Sequence, residues 1–143
     1  MVTELDKQRY REGHPLPFCG FSDSDWAGCS ETRRSTGCLI TVVASAVTSV
    51  SAQTQPGLPA TSSSDAEIRE MSRLARELVF QKQLAELDLG LKVEIPELYA
   101  DSAVGLQVSK KLGPGNKLRR LEVCHMYVPV SYTHLTLPTK RIV

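Results

Sequence analysis

Ser64-Asp65-Ala66-Glu67-Ile68-Arg69-Glu70-Met71 opens the stretch whose reading decides the fold. From Asp65 to about Leu89 the apolar residues Ile68, Met71, Leu74, Ala75, Leu78 and Val79 recur at spacings of three and four, which puts them on one face of a helix. Ser64 and Glu67 fit the S-x-x-E capping box at its start, and Gly90 supplies its stop. An apolar stripe of this kind must be buried against another element, and the flanking segments read as strands. Upstream, Phe18 to Phe21 is short and apolar and runs into Ser22-Asp23-Ser24-Asp25, a strand entering a loop with Asp23 at the strand's end. Thr36 to Val43 and Val47 to Ala52 are rich in β-branched residues and separated only by Ala44-Ser45-Ala46, so they predict two antiparallel strands. Gln53 to Ser64, with Pro56, Gly57 and Pro59, reads as a loop.

Downstream, Glu97 to Ala100 predicts a short strand ending at Asp101. Ser102 to Lys110 can form a second helix capped by Asp101 or Ser102, while Leu121 to Val128 fits a helix or a strand. The order strand, strand, strand, long helix, strand, helix predicts an α/β domain with a mixed sheet. A crossover through the long helix then lays the fourth strand parallel to the first and beside it, on the side away from the meander.

The bulk properties agree with one domain. The chain has 143 residues, 41% of them hydrophobic and 23% charged, which is too short for two sizeable cores. Its most apolar run, Cys38 to Val50, is broken by Thr41, Ser45, Thr48 and Ser49, so no membrane span is expected. The polar start, Met1 to Pro17, lacks a secretory pattern, and an intracellular, soluble protein is the expectation. Cys19, Cys29, Cys38 and Cys124 form no C-x-x-C pair, which argues for reduced thiols rather than zinc. The net charge is only +1, but Val108 to Arg120 carries Lys110, Lys111, Lys117, Arg119 and Arg120 with no acid. Such a patch is either a phosphate-binding surface or a solvated loop.

The predicted topology places the acids. Asp23 and Asp101 fall at the carboxyl ends of neighbouring strands, about one strand spacing of ~4.8 Å apart, and Glu67 lies one turn into the helix above them. Three carboxylates gathered at one point repel one another, so the arrangement suggests a divalent cation, and hard oxygen ligands favour Mg²⁺ or Mn²⁺. Each acid also has a plain structural explanation: Glu67 as the partner of Ser64, Asp101 as an N-cap, Asp23 as a turn residue. The functional reading depends on all three meeting.

These residues resemble a known family. Gly20-Phe21-Ser22-Asp23-Ser24-Asp25-Trp26-Ala27-Gly28, followed by Thr32-Arg33-Arg34-Ser35-Thr36-Gly37, is similar to the G-Y-S-D-A-D-W-A-G and R-R-S-T-S-G signature that opens the ribonuclease H domain of copia-type LTR retrotransposons. Gln55-Pro56 with Ser62-Ser63-Ser64-Asp65-Ala66-Glu67 resembles that family's Q-P and S-S-A-E-A-E-Y block, and Leu98-Tyr99-Ala100-Asp101-Ser102 its L-x-x-D-[NS] strand. Arg119-Arg120-Leu121-Glu122-Val123 is similar to its K-H-I-E-V helix, so the resemblance runs from about Pro17 to Val128. It implies a ribonuclease H-like sheet with Asp23, Glu67 and Asp101 as the first three members of an Asp-Glu-Asp-Asp cluster. In the family that cluster holds Mg²⁺ or Mn²⁺ and hydrolyses the RNA strand of an RNA:DNA hybrid. Arg33, Arg34, Lys117, Arg119 and Arg120 are then candidate nucleic-acid contacts, to the phosphates, with plain surface charge as the alternative. The remainder of a Pol polyprotein, with its reverse transcriptase and integrase, would be the partner, in the cytoplasm, a virus-like particle or the nucleus. Integrases share the broader fold, but their glutamate comes last, whereas Glu67 comes second.

The chain departs from the family at Ile68, where a Tyr is usual, at Val50, where a Trp is usual, and at Arg120, where a His is usual. The A-D-[IV]-x-T-K motif that carries the fourth carboxylate has no counterpart. In its place, Val130-Ser131-Tyr132-Thr133-His134-Leu135-Thr136-Leu137-Pro138-Thr139 resembles the conceptual translation of a transposase adapter used in sequencing libraries. The expected organisation is a flexible N-terminal extension over residues 1–16, a partial ribonuclease H-like domain over 17–129 whose last strand and helix are missing, and adapter read-through over 130–143. That arrangement predicts an open edge on the fourth strand and impaired catalysis. The alternatives are a non-catalytic nucleic-acid-binding remnant and a purely structural one.

Overall fold

A computed structural model describes residues 2–101 together with the backbone of residues 139–141. The expected helix over Ser102 to Lys110, the segment Leu121 to Val128 and the basic residues Lys117, Arg119 and Arg120 lie outside the described residues. The elements run α1 (Glu4–Arg11), β1 (Phe18–Asp25), β2 (Thr36–Val43), β3 (Ala46–Thr54), α2 (Ser63–Gln83), β4 (Glu97–Ala100) and β5 (Thr139–Arg141). The strands form one sheet in the order β3-β2-β1-β4-β5. β1, β2 and β3 are an antiparallel meander, and β4 lies parallel to β1 on the far side. The fold is therefore α/β, a mixed sheet with the long helix leading from the meander to the parallel fourth strand, as the order of elements predicts.

Alternation along the strands explains why the sheet has a single buried face. Phe18, Gly20 and Ser22 of β1, Gly37, Leu39 and Thr41 of β2, and Leu98 and Ala100 of β4 are buried, whereas their neighbours are more exposed. α2 covers that face with Met71, Leu74, Ala75 and Leu78, all essentially inaccessible to solvent, as its periodicity predicts. The approach is close at Gly20: a Cβ there would stand 2.7 Å from Leu74 Cδ1 and 3.0 Å from Leu78 Cδ2. On the opposite face, Phe21 of β1 stacks on Tyr99 of β4, ring centroids 5.0 Å apart, which ties the parallel pair from its other side.

β2 and β4 have their expected bounds, whereas β1, β3 and α2 differ; β3 runs Ala46–Thr54, two residues into the expected loop, because Gln53 and Thr54 pair with Gly37 and Thr36. β1 runs on to Asp25 because β2 pairs with it throughout, from Phe18 opposite Val43 to Asp25 opposite Thr36. Asp23 is thus not at the end of β1; it stands just past the last residue that β4 pairs, Ser22 opposite Ala100. The hairpin link shortens to Ala44 and Ser45, both left-handed (φ 47° and 61°), the backbone that a two-residue turn demands, and Ala44 N–H is held by Pro17 O at 2.9 Å. α2 begins two residues early: Ser62 is the N-cap and accepts from Asp65 N–H at 3.1 Å, so Glu67 takes no part in a capping box with Ser64. At its other end α2 widens into a π-helical turn, Leu84–Asp88, before the expected stop at Gly90 (φ 64°).

The two termini also depart from expectation. The segment read as a flexible extension holds α1, with a reciprocal capping box between Thr3 and Asp6. Arg9 pairs with Glu94 at 2.6 Å, and Leu16 bridges to Val93 in parallel fashion, so this segment is fastened at Arg9 and Leu16 to the stretch that leads into β4. The outer edge of β4 is not open, because Leu98, Tyr99 and Ala100 pair with Thr139, Lys140 and Arg141 of β5. Such pairing uses backbone groups alone and asks little of the sequence that supplies them. Among the described residues no helix is long and apolar enough to cross a membrane.

The Gly20 contact yields a test. Gly20→Ala should lower stability by about 1–3 kcal/mol through overpacking against Leu74 and Leu78, read as a lower urea midpoint at unchanged slope; an unaltered midpoint would show that the helix shifts without cost.

Candidate active site

Parallel pairing fixes where β1 and β4 end relative to each other. Since Ser22 is opposite Ala100, the next residues, Asp23 and Asp101, follow side by side where the pairing stops. α2 crosses above these tips with Glu67 one turn into the helix. The result is a small cleft of about 10 Å³ lined by Ser22, Asp23, Glu67, Ala100 and Asp101. All three acids expected from the sequence reach it, each from a different element. Ser22 and Ala100 are buried beneath it, Asp23 and Asp101 are exposed, and Glu67 is half-buried. Asp25, the other acid of the signature, is not among its lining residues.

The cleft has room for about one water-sized atom. Its donors are hard carboxylate oxygens, a set that suits Mg²⁺, Mn²⁺ or Ca²⁺ rather than a soft metal. As the side chains stand, however, no group of three or more His, Cys, Asp or Glu among the described residues is arranged to hold an ion. The backbone brings the acids to one place, and the carboxylates would have to draw inward to share a cation. Asp23 is partly fixed already, because its Oδ1 accepts from the backbone N–H of Ser24 at 2.9 Å.

The rest of the signature acts as a bracket. A Cβ on Gly28 would lie 1.9 Å from Asp25 Oδ2, so the Asp25 carboxylate occupies space that only glycine leaves free. Ala27 turns left-handed (φ 53°) and donates its N–H to buried Ser35 Oγ at 3.2 Å, while Ser35 O accepts from Gln55 N–H at 2.8 Å. Trp26 Nε1 donates to Ala60 O at 3.1 Å. These bonds tie the loop beyond β1 to residues 55–60, the segment that delivers the chain into α2. Asp65 continues the fastening: it accepts from Thr61 N–H at 2.9 Å and takes both Nε and Nη2 of Arg69 at 3.0 Å, and Arg69 Nη1 reaches Leu58 O at 2.7 Å. Arg33 and Arg34 are exposed on the tight turn closed by Arg33 N–H to Cys29 O at 2.8 Å, in the loop at the same end of the sheet as the cleft.

One participant escapes a sequence reading. Glu70, three residues beyond Glu67, is 1% exposed and packs over β2. A Cβ on Gly37 would stand 1.9 Å from Glu70 Oε2, so the glycine near the start of this β-branched strand makes room for the carboxylate. Arg73 Nη1 lies 2.7 Å from Glu70 Oε1 and Arg73 Nη2 donates to Ser51 Oγ of β3 at 2.5 Å. Gln55 Nε2 meanwhile donates to Ala66 O at 2.7 Å. The available signal was an acid set between the core positions Ile68 and Met71, together with a strand glycine that has no turn to explain it.

Burial pushes the Glu70 carboxyl above its usual value of 4.5, and the adjacent Arg73 offsets part of that rise. A carboxyl that binds its proton more tightly when folded favours the folded state fully below the unfolded value, and that contribution fades as pH rises through the raised native value. Stability should therefore fall across the interval starting near 4.5, and Glu70→Gln should remove that part of the slope in urea midpoints measured from acid to neutral pH. An identical pH profile in the variant would contradict the assignment.

No protein-family model matches the chain. It is similar to "Uncharacterized mitochondrial protein AtMg00810" of Arabidopsis thaliana, 43% identical over 60 residues, a match that covers 42% of this chain and 25% of that protein. The chain thus spans about a quarter of the curated relative it matches. Among solved structures, RNase H1 from the halophilic archaeon Halobacterium salinarum NRC-1 aligns over 88% of this chain and 85% of its own, with TM-score 0.45 and 17% identity. Human ENDOV aligns over 61% of this chain and 34% of its own, with TM-score 0.35 and 17% identity.

Proposed function

We propose that this chain is part of a retroelement ribonuclease H, within a Pol polyprotein, that cuts the RNA strand of RNA:DNA hybrids with Asp23, Glu67 and Asp101 as its ion-binding acids. The observation that carries the reading is the convergence of these acids, far apart in sequence and borne on three elements, on one water-sized cleft. Bound Mg²⁺ or Mn²⁺ would supply an activated water and charge neutralisation at the scissile phosphate. The chain's own part is placement. Ser24 N–H orients Asp23, the parallel register sets Asp101 beside it, and the anchored start of α2 holds Glu67 overhead. Arg33 and Arg34, exposed on their turn, are suited to contact the phosphates of a bound hybrid. In this reading Lys117, Arg119 and Arg120 are further phosphate contacts, and residues 130–143 are the translated adapter. Among the described residues three carboxylates line the cleft, and three hold a pair of cations more weakly than four, so slow turnover is expected.

The absence of a preformed three-ligand group among the described residues favours a second reading, a remnant that binds nucleic acid without cutting it. One titration separates the two. With a labelled hybrid, the nuclease reading expects slow cleavage that requires Mg²⁺ or Mn²⁺ and falls to background in Asp23→Asn. Equal cleavage by parent and variant would refute it, and metal-independent binding that weakens steeply with salt and leads to no cleavage would establish the remnant.

A further inference from the structure

Glu67 can serve as a ligand only if the first turns of α2 are held at a fixed height over the strand tips. The capping contacts at Ser62 and Asp65 order the helix start, yet they act within the helix and its own loop. Glu70 reaches the sheet. It projects from α2 one turn after Glu67, about 4.5 Å further along the axis, and its carboxylate fills the space above Gly37. Gly37 is the register neighbour of Ser24, next in β1 to Asp23, so the contact lies beside the cleft. The carboxylate is shut away from solvent, and Arg73 joins it to Ser51 of the third strand. A buried charge is a costly way to pack a helix on a sheet, since an apolar residue of similar volume does so without desolvation. What this side chain adds is fit to the sheet: its carboxyl group seated over Gly37 and the Arg73 guanidinium beside it on Ser51 Oγ are contacts from one helix face to two strands, which together oppose sliding and rotation of the helix.

We propose that Glu70 is a positioning residue for Glu67, its carboxylate seated over Gly37 and paired with Arg73 so that α2 presents Glu67 to the cleft shared with Asp23 and Asp101. The inference rests on the ion-binding reading of that cleft. Its structural half stands separately, because the setting of the helix start is measurable without any metal.

The test uses the full chain with Mn²⁺ alone as the probe, and amide hydrogen exchange over residues 63–67 as the second readout. Glu70→Ala, which removes the carboxylate, and Gly37→Ala, which evicts it, should each speed exchange over 63–67 and weaken Mn²⁺ binding about ten- to hundredfold, as loss of a ligand-orienting contact does. Glu70→Gln keeps the shape and should stay close to the parent in both readouts. Leu78→Ala loosens the same helix from its far end; it should lower overall stability and leave both readouts near the parent's. The proposal is overturned if Glu70→Ala and Gly37→Ala leave exchange and affinity unchanged, or if Leu78→Ala alters them equally, since Glu70 would then be a packing residue like any other. If the parent binds no Mn²⁺ but exchange still responds to Glu70→Ala and Gly37→Ala, the positioning role holds and the ion-binding reading fails.

Discussion

Parallel pairing of Cys19–Ser22 with Glu97–Ala100 is the constraint on which the rest depends. Parallel neighbours cannot be joined by a tight turn, so the chain must travel back along the sheet between them, and α2 is the return path. From that requirement come both the core and the cleft. The helix buries its apolar stripe on the one sheet face left smooth by Gly20, and the strand tips bring two aspartates together at the end where the helix begins. Without this pairing Asp101 would have no fixed relation to Asp23.

Much of this was legible in the sequence because the signals are periodic. A β-branched run marked the bounds of β2, Pro96 and Asp101 bracketed β4, the three-four spacing identified the helix face, and the order of elements placed β4 against β1. The meeting of Asp23, Glu67 and Asp101 follows from topology, which is why it could be foreseen from element order alone. Features set by single contacts were not visible. The start of α2 slipped by two residues because Ser62, Ser63 and Ser64 are equivalent as caps until the loop geometry selects one. α1 lacks an apolar stripe and owes its place to Thr3, Asp6 and the distant partner Glu94. Glu70 was missed because a charged side chain on an amphipathic helix ordinarily marks the solvent side.

The signature stretch divides its labour unevenly. Asp23 lines the cleft, whereas Asp25, Trp26, Gly28 and Ser35 hold loops together through hydrogen bonds and close backbone approach. Most of this motif is framework: it anchors the segment from which Glu67 is hung. The same economy explains why Gly37, at the end of the second signature block, is a glycine inside a strand.

The sequence distance spanned by the β1–β4 pair has a kinetic consequence. The meander closes through short turns and α2 winds locally, but Cys19 must find Glu97 across nearly the whole described chain. Loop-closure entropy has to be overcome before that contact returns anything, which makes it the late step of assembly. A molecule halted before it would already possess its hairpins and its helix, and would lack the cleft between the two strand tips.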